Sequence, residues 1–133
     1  PYQGCEHGCI YCYARPSHAY LELSPGLDFE TRLFAKLNAA ELLRREFARP
    51  AYQPQTIVLG ANTDPYQPIE AKRHIMPGLW QVLLDWNHPA SLVTRGQTVL
   101  RDLPLQAGGV EVPEPRRLCL NEPLRVSLPG RPA

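Results

Sequence analysis

At 133 residues the chain has room for one ordinary domain. Lys and Arg number 14 against 13 Asp and Glu, and that balance of +1 argues against a broad basic nucleic-acid face and against an acidic tail. Hydrophobic residues make up 44%, enough for a buried core and too many for wholesale disorder, and no apolar run approaches the roughly 20 residues of a membrane-spanning helix.

No charged-then-apolar start resembles a secretory leader. The chain opens on Pro1 rather than Met, so the expectation is a cytoplasmic protein shown without its own N-terminus. Its 15 prolines are about 11% of the chain, roughly twice ordinary usage. Pro104, Pro113, Pro115, Pro123, Pro129 and Pro132 crowd its far end, and only Lys36 and Lys72 among the basic residues are lysine.

The first segment, PYQGCEHGCIYCYARP, reads as a loop with Gly4, Gly8 and Pro16 marking turns. Residues 28–36 fit a short strand or an early helical turn equally well. Asn38, with Glu41 three residues on, makes a capping-box arrangement. AAELLRREF then reads as an amphipathic helix stopping before Pro50, with Leu42, Leu43 and Phe47 on one face. TIVLG, residues 56–60, has the β-branched apolar run of a buried strand. After the turn ANTDPYQPIE, residues 71–86 place Ile75, Leu79, Val82, Leu83 and Trp86 at helical spacing, with Pro77-Gly78 expected to kink or delay the helix. SLVTR, residues 91–95, is a second strand, and QTVLRDL begins a third helix.

Alternating strands and helices predict an α/β fold of parallel βαβ units with right-handed crossovers. Such sheets carry functional residues on loops beyond the C-terminal ends of their strands. The cysteine loop, the ANTDPYQP turn and Thr94-Arg95 are expected there. Past Leu103 no helical or strand period persists, so residues 104–133 are expected to be an irregular tail rich in Pro, Arg and Gly.

Three of the four cysteines, Cys5, Cys9 and Cys12, share one loop, and Cys119 stands far away without a matched neighbour. A clustered set of this kind reads as a metal site and not as a disulfide framework. Thiolates suit iron–sulfur clusters or zinc. A structural zinc site needs a fourth ligand, for which His7 or His18 is available, whereas a 4Fe–4S cluster on three thiolates keeps one iron open. On spacing alone both stand.

The CxxxCxxC pattern with Tyr11 just before the third cysteine resembles the radical S-adenosylmethionine superfamily. GCEHGCIYCYAR followed by LGANTDPYQPIE resembles its spore photoproduct lyase-like, or "DNA repair photolyase"-like, group over residues 1–103. The resemblance implies a partial TIM-like barrel, of which residues 1–103 supply about three of six β/α units, so the chain reads as an incomplete fragment of the enzyme. It implies a 4Fe–4S cluster on Cys5, Cys9 and Cys12, with the open iron chelated by S-adenosyl-L-methionine. Reductive cleavage of that cofactor to a 5′-deoxyadenosyl radical is the family's lyase chemistry. A flavodoxin- or ferredoxin-like electron donor is the implied partner; the substrate is unknown, and the nucleic acid that the family name suggests has no support in the charge balance.

By the same resemblance Tyr11 packs beside the adenine or the cluster, and Thr63 and Asp64 match the polar pair that receives the methionine ammonium. Arg95 matches a position, usually lysine, that meets the methionine carboxylate. Residue by residue there is a plainer reading of Asp64, as the cap of helix 71–86, and of Glu70, as a first-turn residue favoured by the helix dipole. His7 reads as solvated or beside the ligands, His74 and His88 as surface residues, and Trp80 and Trp86 as core. Arg44, Arg45 and Arg49 complement a helix C-terminus. A non-catalytic zinc or iron module is the alternative of a different class.

Overall fold

A computed structural model of the chain describes residues 1–106 and 124–127, the latter as backbone only. Strand β1, Tyr2–Gln3, is followed by the cysteine loop, a 3₁₀ turn over Arg15–Leu21 and helix α1, Leu27–Thr31. Strand β2, Phe34–Ala35, then pairs antiparallel with β1, Tyr2 opposite Ala35. Residues 28–36, equally suited to helix or strand, thus contain one of each. Helix α2 is Ala39–Phe47, strand β3 Ile57–Leu59, helix α3 Glu70–Arg73 and helix α4 Ile75–Asp85. Strand β4, Ala90–Thr94, runs parallel to β3 with Ile57 opposite Ala90, and helix α5, Val99–Gln106, follows it. The result is a mixed α/β arrangement with two small sheets. Strand β5, Leu124–Ser127, pairs antiparallel with β4 in a stretch expected to be irregular; Cys119 lies outside the described residues.

The core follows from the apolar spacing of α4. Met76, Trp80 and Val82 are fully buried, and Ile75, Leu79 and Leu83 nearly so; they pack with Phe47 of α2, Leu92 of β4 and Val99 of α5. Each such side chain contributes roughly 1.5–3 kcal/mol of hydrophobic stabilisation. In β4, Ala90, Leu92 and Thr94 are buried and alternate with partly exposed Ser91 and Val93, as a strand against a core requires. No helix among the described residues is long and apolar enough to cross a membrane.

Several local expectations change. The helix expected over 71–86 breaks not at Pro77 but at His74, which takes a left-handed conformation (φ 52°) between α3 and α4. Pro77 falls in the first turn of α4, where a missing N–H breaks no bond. Asn38 does precede α2, but its side chain makes no capping hydrogen bond, so the capping box is not formed. Leu42 is 37% exposed while Ala39 and Phe47 are buried, which rotates the apolar face of α2 away from the one read in the sequence. Trp80 is buried as expected, but Trp86, beyond the last turn of α4, is 46% exposed.

His88 is corrected in the other direction, from surface to interior. Only 4% exposed, it stacks on Phe47 with ring centroids 4.2 Å apart. Its Nδ1 lies 2.9 Å from the Pro89 carbonyl and its Nε2 2.6 Å from the Tyr52 hydroxyl. The carbonyl can only accept, so Nδ1 carries the proton and Nε2 accepts from Tyr52. Burial holds the imidazole pKa below its ordinary value, against a smaller upward pull from the Pro89 carbonyl. A depressed histidine pKa means that the unfolded chain binds more protons as pH falls below about 6.5, so stability drops there. Thermal midpoints measured from pH 7.5 to 5.5 should fall, and the slope should flatten in His88→Gln. An equal slope in that variant would place the titration elsewhere.

Candidate functional site

The cysteine loop is set by backbone contacts before any thiol is considered. Gly4 turns it at φ +78°, where a Cβ would sit 2.8 Å from Leu33 Cδ2 and 2.9 Å from the Phe29 carbonyl oxygen; only glycine fits. Cys5 N–H donates to that carbonyl at 2.9 Å. Tyr2 O accepts from the Thr63 hydroxyl at 2.5 Å, which ties β1 to the turn after β3. The turn itself starts at Gly60 (φ +89°), where a Cβ would lie 1.9 Å from the Val93 carbonyl oxygen, so the end of β3 can press against β4.

Asp64 joins three segments. Its Oδ1 accepts from the Thr94 hydroxyl at 2.6 Å and from Tyr66 N–H at 2.8 Å. Its Oδ2 accepts from Arg95 N–H at 2.7 Å and lies 3.0 Å from His7 Nε2 in the cysteine loop. Burial opposes ionisation of this carboxyl, but the hydrogen bonds from His7, Thr94, Arg95 and Tyr66 win and hold it below the usual carboxylate range. The capping reading is replaced: the carboxylate bonds the turn at Tyr66 and the end of β4, not the first turn of α3. His7 is neither free in solvent nor remote from the site.

The three thiols have different surroundings. Cys5 is buried, and burial pushes its thiol pKa up, against a smaller lowering pull from the backbone N–H groups of His7 and Asp64. Cys9 and Cys12 are partly exposed. Arg95 Nη1 lies 3.1 Å from Cys9 Sγ and 2.9 Å from the Tyr11 hydroxyl, with the guanidinium 5.8 Å from the Tyr11 ring centroid. Arg15 holds the Cys9 carbonyl through Nε at 3.1 Å and Nη2 at 2.8 Å, and also pairs with Glu30. Tyr11 is 72% exposed. His18 is buried on the other side of the loop against Phe29, with Nε2 2.9 Å from the Arg32 carbonyl.

Cys5, Cys9, Cys12, Tyr11, Asp64 and Arg95 therefore meet at one end of the β3–β4 pair, with Thr63 bonded inward behind them. The donor chemistry fits a soft metal or cluster: three free thiols on one loop, two of them partly open to solvent. Among the described residues no three His, Cys, Asp or Glu side chains are already gathered as a ligand set. Seating a group on the loop therefore requires the thiols to turn toward one another. A cleft of about 850 Å³ lies elsewhere, between β2, α2 and β3, and no cysteine lines it.

Two more residues complete the turn: Gln67, which sequence reading passes over, and Glu70, which it reads as a first-turn helix residue. Gln67 is fully buried and bonds Gly4 and Glu6 on either side of Cys5. Glu70, also fully buried, accepts from the N–H groups of Ile75 at 3.1 Å and Met76 at 3.0 Å, so it caps α4. It further accepts from the Tyr2 hydroxyl and pairs with Arg101 at 2.9 Å. The available signal was two polar residues among prolines in an apolar context, which says that they are bonded but not to what.

No family model matches the chain, and no solved structure matches it. It is 47% identical over 106 residues to "Uncharacterized protein Rv2578c" of Mycobacterium tuberculosis (strain H37Rv), and equally to "Uncharacterized protein Mb2609c" of Mycobacterium bovis. Those alignments cover 80% of this chain and 31% of each relative. The chain thus spans about a third of the length of the curated relatives it matches.

Asp64→Asn tests the junction. An amide in place of the carboxylate turns its N–H₂ toward at least one of the four donors and weakens the rest, at a cost of about 2 kcal/mol or more. Urea unfolding should show a lower midpoint, and His7→Ala, which removes one partner of the carboxylate, should cost less. Equal costs would mean that Asp64 does not act as a shared acceptor.

Proposed function

We propose that this chain carries an iron–sulfur cluster on Cys5, Cys9 and Cys12 beside an S-adenosylmethionine site, as the cluster-bearing part of a spore photoproduct lyase-like radical S-adenosylmethionine enzyme. The supporting observation is that the loop with three free thiols is bonded to the one turn and the one strand end that carry the other candidate residues. When bound, the two cofactors supply one-electron cleavage of a carbon–sulfur bond, and the protein's part is to bind, orient and exclude water.

The roles of the chain's own groups follow from their bonding. The Asp64 carboxylate has about four acceptor positions, and Tyr66, Thr94, Arg95 and His7 fill them. Of the four, His7 is the one that would give way to the ammonium of a bound S-adenosylmethionine, because the other three donors belong to the turn and to the end of β4. The planar fork of Arg95 suits a carboxylate, and it already lies beside Cys9 and Tyr11. The exposed Tyr11 ring offers a face to an adenine, and Thr63 acts from behind by fixing the turn to β1. Exposed Ile10 and Tyr13 give a flavodoxin- or ferredoxin-like electron donor an apolar surface next to the cluster loop.

Anaerobic reconstitution of the chain with iron and sulfide should give a broad iron–sulfur charge-transfer absorption. Cys5→Ala, Cys9→Ala and Cys12→Ala should each abolish it, and Cys119→Ala should not. S-adenosylmethionine should then alter the paramagnetic-resonance signal of the reduced cluster. Stoichiometric zinc without iron uptake would favour a structural metal module instead and overturn the reading.

A further inference from the structure

We propose that Gln67 is a positioning residue for the thiol set, holding Cys5 in place through the backbone on both sides of it. Its Nε2 donates to the Gly4 carbonyl at 2.9 Å and its Oε1 accepts from Glu6 N–H at 3.0 Å. The second Nε2 proton goes to the Asp64 carbonyl at 3.2 Å. With residues 4 and 6 the side-chain amide thus makes the donor-and-acceptor pair that a neighbouring strand would make. Cys5, between them, is bonded on its own N–H to the Phe29 carbonyl at 2.9 Å. Backbone bonds therefore fix residues 4, 5 and 6, and the Cys5 thiol keeps little freedom beyond rotation about its own side chain.

Only an amide of this length does the task. Glutamate offers acceptors alone when ionised, lysine offers donors alone, and methionine fills the space with neither. Gln67 is fully buried, so a substitution leaves the buried Gly4 carbonyl without its partner and releases the part-buried Glu6 N–H. The amide is anchored in turn by its own backbone, whose carbonyl accepts from Glu70 N–H at 2.9 Å, and by Pro65 and Pro68 on either side, which fix their own φ angles. Cys9 and Cys12 are partly exposed and bonded differently. Cys12 N–H donates to the Cys9 carbonyl at 3.2 Å and the Cys12 carbonyl accepts from Arg15 N–H at 3.4 Å, turns local to this segment, while the side chains of Arg15 and Arg95 hold Cys9. The loop presents one fixed thiol and two adjustable ones.

The proposal rests on the reading of Cys5 as a cluster ligand, so its test is run on the 133-residue chain with no metal present. Under reducing conditions, iodoacetamide labelling followed by peptide mass spectrometry should find Cys5 slower than Cys9 and Cys12. In Gln67→Met the Cys5 rate should rise about tenfold or more, with Cys9 and Cys12 within about twofold of wild type, because local opening at residues 4–6 replaces global opening. An unchanged Cys5 rate, or equal acceleration of all three thiols, overturns the proposal, the latter because it is what a general loss of stability produces.

If Gln67→Met does not fold, hydrogen exchange on the wild-type chain decides the matter. Glu6 N–H should exchange at least about tenfold more slowly than Gly8 N–H in the same loop, and equal rates overturn the clamp. Failure of the cluster to assemble in wild type, with these rates as expected, would overturn the proposed function and leave the clamp standing.

Discussion

Burying polar side chains in one turn is the constraint from which the rest of the arrangement follows. Thr63, Gln67 and Glu70 are nearly or wholly buried and Asp64 is largely so, and each such group must find a partner or cost more than the fold can spare. The partners lie on β1, the cysteine loop, the end of β4, α4 and α5. The Thr63 hydroxyl reaches Tyr2, Asp64 reaches His7, Thr94 and Arg95, Gln67 reaches Gly4 and Glu6, and Glu70 reaches Tyr2, Met76 and Arg101. Satisfying eight residues of turn therefore fixes the relative placement of every segment that carries a candidate site residue.

Beneath that turn the same logic continues into the core. Trp80 Nε1 donates to the Tyr66 hydroxyl at 2.6 Å, which donates to Asp102 at 2.9 Å, and Arg101 bridges Asp102 and Glu70. Burial, and secondarily the neighbouring Asp102, push the Tyr66 hydroxyl pKa up, so it stays a donor; Asp102 and Glu70 hold the Arg101 guanidinium charged. A buried network of this kind is stabilising only when every member is satisfied. Its position directly under Asp64 and Gln67 makes the floor of the site rigid, while Ile10, Tyr11 and Tyr13 above it remain exposed.

Periodicity carried the reading of the chain as far as local forces act. β3, β4, α2 and α5 fall where apolar spacing puts them, but β3, expected to be buried, is only partly so, with Val58 51% exposed. The break at His74 escaped it, since Pro77 was the visible helix breaker and the decisive event is the capping of α4 by Glu70 across a left-handed residue. His88 looked like a surface histidine because nothing local announces its stack on Phe47. The cysteine loop, Asp64 and Arg95 were visible as chemistry, but the bonds that join them span 31 to 86 residues. Side-chain bonds of that range leave no period in the sequence.

The contrast among the thiols gives the arrangement its mechanical sense. A loop with every cysteine rigidly placed would need the correct ligand geometry before any metal arrived, and a fully mobile loop would lose much conformational entropy on binding. Here Cys5 is fixed by bonds of residues 4–6 to the Gln67 amide and the Phe29 carbonyl, whereas Cys9 is held by the side chains of partly buried Arg15 and exposed Arg95. Arginine side chains on a loop can re-form their bonds after a small displacement, but the Gln67 amide cannot follow its partners without opening the core. If the loop holds a cluster as proposed, its closure would be directed: Cys9 and Cys12 would move toward Cys5, with the Asp64 turn kept where the buried network holds it.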